Sequence, residues 1–374
     1  MCEFILLCEE HYNPLGLVRS LGENNIFPVV IVVKNKRKLV SKSRYIKRLV
    51  FVNSLEDGLQ HILDNYGKTD KDVLYVCDDK TLSLIDEIYD DIKKRFITFN
   101  AGSSNVINYY LQKKNIQKLA NECGFKIPST RIINRKEQIP DDITYPIITK
   151  AISSISGGWK KDVFICHNKQ ELLNAIPKIK SENIALQEYL IKDNELCLDG
   201  FSYNRGKDVF VSIASTYDYL IDNSYSPLMT IKNFEDVDKT WNISKKLNNI
   251  FSVVGFEGIF SVEFLIVGNE LYFLEINFRN STWSYASTKC GMNLPIMWYE
   301  AMTGKATSFQ PQSIKNGYKA MVEPTDFAYR VMGGRISLFK WLKERKECDC
   351  LYYKNKKDKK PTRFFMIRKL IKIV

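Results

Sequence analysis

The chain has 374 residues, with 55 Lys and Arg against 43 Asp and Glu, a formal charge of +12 and a pI near 9.1. That length exceeds one compact core and suggests two or three domains, while 45% hydrophobic and 26% charged residues exclude global disorder. The charge is concentrated: from Lys354 to Val374 there are seven Lys and two Arg against one Asp, and the rest of the chain is only mildly basic. A nucleic-acid footprint would interleave basic and aromatic residues over the body, so this distribution argues against a nucleic-acid binder.

At the amino end, Met1 to Glu10 holds an apolar run too short for a signal-peptide core, with acids where bases are expected. No apolar run approaches the roughly 20 residues needed to cross a bilayer. Nine cysteines form no CxxC pair, and Cys348-x-Cys350 has no histidine nearby to complete a zinc site. These features lead to the expectation of a cytoplasmic protein with reduced thiols.

Apolar runs at Phe4–Cys8, Val29–Val33, Leu49–Val52, Val73–Cys77 and Phe96–Phe99 read as buried strands separated by amphipathic helices, which implies a parallel α/β sheet. No GxGxxG follows the first strand, which argues against a dinucleotide site. A helix is expected from about Ser104 to Glu122, stopped by Gly124 and Pro128. Strands follow near Ile147–Lys150 and Val163–Cys166, a helix near Lys169–Ile179, a strand near Ala185–Glu188, and antiparallel strands from Glu195 to Thr216. The chain closes with helices near Pro295–Thr303 and Ile336–Lys346, then the basic tail.

The segment Gly258–Asn277 reads as a hairpin. A three-residue loop, Gly268-Asn269-Glu270, pairs Val267 with Leu271, Glu263 with Glu275 and Ser261 with Asn277. A two-residue loop would put the two glutamates on opposite faces. Directly opposed carboxylates lie roughly 5 Å apart at Cβ and repel unless a positive charge sits between them. Two acids and an amide suit a hard cation such as Mg²⁺, and two such ions can bridge a nucleotide's phosphates. The plain alternative is a solvated strand face.

Glu275-x-Asn277-x-Arg279, with Glu263 twelve residues earlier, resembles the metal-binding signature of the ATP-grasp superfamily. Three upstream signals agree with it. Lys113, with Lys114 as its neighbouring alternative, precedes Gly124 and Pro128. Pro146-Ile147-Ile148-Thr149-Lys150 leads into a small-residue loop containing Ser156, Gly157 and Gly158. Gln187-Glu188-Tyr189-Leu190 is followed by Glu195. The resemblance covers about residues 1–330.

It implies an α/β and α+β chain, an ATP-grasp fold with an N-terminal Rossmann-like domain at 1–102. A small or lid subdomain follows at 103–190, a metal and substrate subdomain at 191–330, and a helical extension with basic tail at 331–374. It implies ATP and Mg²⁺ as cofactors, two ions with Mn²⁺ as a substitute. Lys113, Lys150 and the loop would hold phosphates, with Lys160 or Lys161 adding a contact. Glu188, Tyr189 and Leu190 would read the adenine, and Glu195 the ribose. Glu263, Glu275 and Asn277 would bind metal, and Arg279 would face the transferred phosphate with Lys150. A second phosphate-stabilising cation could be Arg205 or Lys289.

The implied reaction phosphorylates a carboxylate for attack by an amine. Ser281, Trp283, Ser284, Tyr285 and Lys289 form a candidate wall for these small-molecule substrates. That segment is similar to D-aspartate ligases and the carbamoyl-phosphate-synthase-like group. A catalytically silent ATP-binding scaffold is the competing expectation, and a homodimer is compatible. The polybasic, apolar-ended tail has a pattern that can lie on an anionic membrane face, or can equally pack as a final helix.

Overall fold

A computed structural model describes residues 2–35, 38–151, 162–221 and 226–371, with the side chains of 151 and 366–371 set aside. The first sheet is built from β1 (Phe4–Cys8), β2 (Val29–Val33), β3 (Arg48–Val52), β4 (Asp72–Val76) and β5 (Phe96–Thr98). All pairs are parallel, in the order β3-β2-β1-β4-β5. Strands such as Val29–Val33 are unbroken apolar runs because helices cover both faces of a parallel sheet. The order reverses between β1 and β4, which opens a crevice at the carboxyl ends of those two strands.

The expected helix over 104–122 is two helices, Val106–Tyr110 and Lys113–Glu122. At the break, Asn115 Nδ2 donates to the Tyr109 carbonyl at 2.8 Å, satisfying a group that the interrupted ladder leaves open. Lys113 therefore opens the second helix, which ends at Gly124 in a left-handed conformation, φ 91°, as the stop signal implies.

A four-stranded antiparallel sheet follows, in the order β6-β9-β7-β8. It comprises β6 (Thr130–Asn134), β7 (Ile147–Ala151), β8 (Ile165–Cys166) and β9 (Asn183–Glu188), and has its own small core around Ile147, Leu172 and Ile184. The strand expected over 163–166 is only the two residues of β8, and the following helix spans Lys169–Ala175 before a short 3₁₀ turn.

A seven-stranded sheet completes the body, ordered β14-β13-β10-β11-β12-β15-β16. It contains β10 (Asn194–Tyr203), β11 (Asp208–Tyr217), β12 (Leu228–Lys232), β13 (Gly258–Val267), β14 (Glu270–Asn277), β15 (Tyr318–Met321) and β16 (Cys350–Leu351). Its core is continuous with that of the first sheet. The stretch expected as an extension and tail is knitted into the body. β16 pairs parallel to β15, and Arg19 and Asp358 form a fully buried ion pair at 3.0 Å. Among the described residues no helix is long and apolar enough to cross a membrane.

Candidate active site

The β13–β14 hairpin carries the site, by a route the loop count did not anticipate. The connection is the two-residue turn Gly268-Asn269, so Val267 faces Glu270 and Phe264 faces Phe273. That register alone would separate the two glutamates. A bulge at Leu274 then shifts the pairing by one, so that Glu263 opposes Glu275 and Ser261 opposes Asn277. The expected pairs are present, but the expected three-residue loop is not. The Leu274 carbonyl freed by the bulge accepts from Gln117 Nε2 at 3.1 Å. Gln117 lies one turn after Lys113, on the same helix face, so the bulge and the Lys113 helix are fastened together.

Alternation along the strands gathers an acidic face. In β10, Cys197 opposes Glu263 and Asp199 opposes Ser261, so Glu195, Asp199, Glu263 and Glu275 project from one side of the sheet. Three cations meet that face. Lys113 Nζ is 2.8 Å from Glu275 Oε2, with both side chains about a fifth to a quarter exposed. Burial alone would lower the Lys113 pKa, but Glu275, Glu263 and Asp79 reverse this and hold it above its ordinary value. Lys150 Nζ donates to Gln187 Oε1 at 2.7 Å. Burial first, and then Lys113, pulls Lys150 down to about 8, with Glu275 and Glu195 opposing.

The two opposed acids behave differently. Glu263 is pushed up to about 8, by burial first and then by Glu275 and Glu195. Glu275 is held below the ordinary range, chiefly by Lys113. Asn277 Nδ2 donates to Glu263 Oε1 at 3.0 Å, and its Oδ1 accepts from Arg279 Nη2 at 3.0 Å. Two carboxylates and an amide oxygen are hard donors, and two facing acids, one of them paired with a lysine, fit a divalent cation. As the amide stands, Asn277 offers its oxygen to a cation only after turning over. Among the described residues no three His, Cys, Asp or Glu side chains form a metal-holding group, so this candidate set is two acids and an amide.

Arg279 bridges to the first sheet. Its Nε donates to Asp79 Oδ1 at 2.7 Å, and Asn280 N donates to the Val76 carbonyl at 3.1 Å. Asn13, in the first turn of the Tyr12–Gly22 helix that follows β1, donates to the carbonyls of Cys77 and Asn280 at 3.0 and 2.9 Å. The arginine thus sits at the carboxyl edge where the strand order reverses. Sequence reasoning missed Asp79; its place directly after an apolar parallel strand was the available signal.

The remaining expected residues divide. Glu195 pairs with Lys192 on the acidic face. Glu188 lies on the opposite face of β9 from Gln187, and its Oε2 accepts from Ser129 N at 3.2 Å; the structure brings Gln187 to Lys150 instead. Tyr189 N donates to the Pro146 carbonyl at 3.0 Å, and Leu190 follows in the same connection. Ser156, Gly157, Gly158, Lys160 and Lys161 lie outside the described residues. Arg205 N donates to Glu257 in a turn elsewhere. Ser281 and Ser284 both donate to Asp199 Oδ1, Ser284 at 3.3 Å, while Asp199 Oδ2 is buried and unpartnered. Asp199, also missed, is pushed up to about 7, by burial, with the two serines opposing. Trp283 is buried in the core. Tyr285 and Lys289 turn to Glu23, at 2.9 and 2.7 Å.

A parallel sheet followed by an antiparallel and a largely antiparallel sheet, with lysines of the middle unit and an acidic hairpin face of the last meeting at one site, is the ATP-grasp architecture, and the known proteins that the chain resembles belong to that superfamily. Over 92% of this chain it superposes on an N5-carboxyaminoimidazole synthetase from Staphylococcus aureus in complex with ADP, covering 87% of that chain, with a TM-score of 0.65 and 17% identity. An L-amino acid ligase from Bacillus licheniformis covers 81% of this chain and 76% of its own, with a TM-score of 0.61 and 12% identity. In sequence, the chain is 28% identical over 174 residues to a D-alanine–D-alanine ligase of Fusobacterium nucleatum, 45% of this chain and 55% of the relative. It is 26% identical over 191 residues to a formate-dependent phosphoribosylglycinamide formyltransferase of Wolinella succinogenes, 47% of this chain and 46% of the relative. The chain therefore spans about half the length of the curated relatives it matches. No family model matches it.

Proposed function

We propose that the protein is an ATP-dependent ligase that activates a carboxylate as an acyl phosphate for attack by an amine, releasing ADP and phosphate. The observation that carries this reading is the Glu263–Glu275 pair on one strand face, with Lys113 2.8 Å from Glu275 and Lys150 and Arg279 completing the cationic side. Residues 1–102, 103–190 and 191–330 serve as the N-terminal, lid and metal-binding units. When bound, ATP supplies the phosphoryl group and Mg²⁺ neutralises charge between phosphate oxygens.

The chain's own residues do the rest. Glu263, Glu275 and, once its amide turns over, Asn277 would hold the cation. Lys113 and Lys150 present point charges to the phosphates, and Gln187 aims Lys150. Arg279, braced by Asp79, presents a donor fork where charge develops. Tyr189, Leu190 and Glu195 line the nucleotide side. Asp199 fixes Ser281 and Ser284 at the start of the acceptor segment. Likeness to a D-alanine–D-alanine ligase and an L-amino acid ligase supports an amino acid or peptide precursor as substrate. The reading includes a cytoplasmic enzyme whose basic end contacts an anionic membrane face.

The test is Mg²⁺-dependent ADP release, screened over pairs of amino acids and peptide precursors, with mass spectrometry of the products. A new amide product alongside ADP is expected. ATP binding without ADP release in the presence of any pair would favour the silent scaffold and overturn the ligase reading.

A further inference from the structure

The Ser284–Lys289 helix borders a second concavity. Tyr285 and Lys289 line a cleft of about 730 Å³ whose other walls come from the Leu338–Glu347 helix and the run from Lys354 to Lys357. Its charge is one-sided. Arg345, Lys346, Lys354, Lys356 and Lys357 border it, against Glu23 and Asp349. Both acids are already engaged, Glu23 with Lys289 at 2.7 Å and Asp349 with Lys315. Among the described residues, no carboxylate pairs with Lys346, Lys354, Lys356 or Lys357. Arg345 Nε is buried without a hydrogen-bond partner.

The lysine run is fixed in place. Arg19, fully buried, donates to Asp358 Oδ2 at 3.0 Å, to the Tyr352 carbonyl at 2.6 Å, and to the carbonyls of Tyr353 and Asp358 at 3.2 Å. Asp358 also accepts from Ser43 Oγ and Arg44 N, each at 2.9 Å. Asn355 Nδ2 donates to Glu23 Oε1 and to the Tyr285 hydroxyl at 2.9 Å, while its Oδ1 accepts from Lys357 N and Asp358 N at 2.8 and 3.0 Å. A disordered basic tail would spread its charges to limit repulsion; here a buried latch holds them against one cleft.

Clustered like charges disfavour one another, and an anion of several charges relieves that repulsion. Ammonium point charges beside a guanidinium fork match phosphate oxygens. We propose that this cleft binds an anion carrying two or more phosphate groups, contacted by Arg345, Lys346, Lys354, Lys356 and Lys357. The inference stands independently of the ligase reading.

Inorganic tripolyphosphate is the probe, titrated calorimetrically into the full chain, into Lys150→Ala, and into a triple variant Lys346→Gln, Lys356→Gln, Lys357→Gln. These three side chains are exposed, so the triple variant keeps its fold, which an unchanged thermal transition without probe verifies. Tripolyphosphate can also enter the Lys113–Lys150 site, so the deciding comparison is made in the Lys150→Ala background, where the probe should still bind and the added triple change should weaken it roughly tenfold to a hundredfold. Equal binding by Lys150→Ala with and without the triple change, or no binding by Lys150→Ala, which would put the anion between Lys113 and Lys150, each overturns the proposal. Sedimentation with vesicles of phosphatidylcholine and cardiolipin, a lipid with two phosphates, in equal parts separates the sources. Retention of wild type but not of the triple variant supports a lipid phosphate; discrimination with tripolyphosphate alone supports a soluble one.

Discussion

Glu263→Gln isolates the charge that the site strains to hold. Glutamine keeps an Oε1 to accept from Asn277 Nδ2, a bond of 3.0 Å in the native chain, so the substitution removes charge and little else. The Glu263 carboxyl moves from an ordinary 4.5 to about 8, through burial first and the facing Glu275 and Glu195 next. Because the folded state binds this proton more tightly than the unfolded chain, the contribution of Glu263 to stability is greatest below pH 4.5 and declines as pH rises toward 8. Each pH unit is worth about 1.4 kcal/mol. The unscreened limit is about 4–5 kcal/mol, and water reaching a partly exposed side chain reduces it to about 2 kcal/mol. In metal-free buffer, urea unfolding at pH 5 and pH 8 should show wild type losing about 2 kcal/mol that Glu263→Gln retains. The variant should be the more stable protein at pH 8, yet inactive in ADP release. Parallel pH profiles for the two proteins would refute the reasoning.

Arg279→Lys loses the planar fork that bridges Asp79 and Asn277; kcat for ADP release should fall about a hundredfold or more, with the KM for ATP changed little. The Lys150 ammonium persists below its value of about 8 and is lost above it, so ATP affinity, followed by calorimetry, should fall as pH rises from 8 to 9 in wild type and stay flat in Lys150→Ala. Asp358→Ala leaves Arg19 charged, buried and without its carboxylate; urea unfolding should report a loss of about 3–5 kcal/mol, against a negligible change for Lys354→Gln.

The elements that local chemistry specifies were legible. The strands of the first sheet follow apolar runs almost residue for residue, and Gly124 stops its helix as helix-end chemistry requires. The Glu263–Glu275 pairing was legible only in outcome. Counting a three-residue loop gave the right partners, whereas the chain uses a two-residue turn and a bulge at Leu274. A bulge is stabilised by what lies across it, here Gln117 from a distant helix, and no local pattern announces that. The same holds for Asp79 beside Arg279, 200 residues apart, and for Gln187, which strand alternation rather than motif resemblance brings to Lys150. The basic tail left a packed final helix and a membrane-lying end equally open, because Arg19, the buried partner of Asp358, is more than 300 residues away.

The central claim is that Glu263, Glu275 and the cations around them hold a metal–nucleotide complex for phosphoryl transfer. Its most direct test is ADP formation by Glu275→Gln, measured with saturating ATP and Mg²⁺ beside wild type and the substrate pair found by screening. The glutamine is nearly isosteric but releases Lys113 from its 2.8 Å ion pair and removes one hard anionic donor. A folded variant that forms no ADP is the predicted result; turnover at the wild-type rate would contradict the metal assignment and the function built on it.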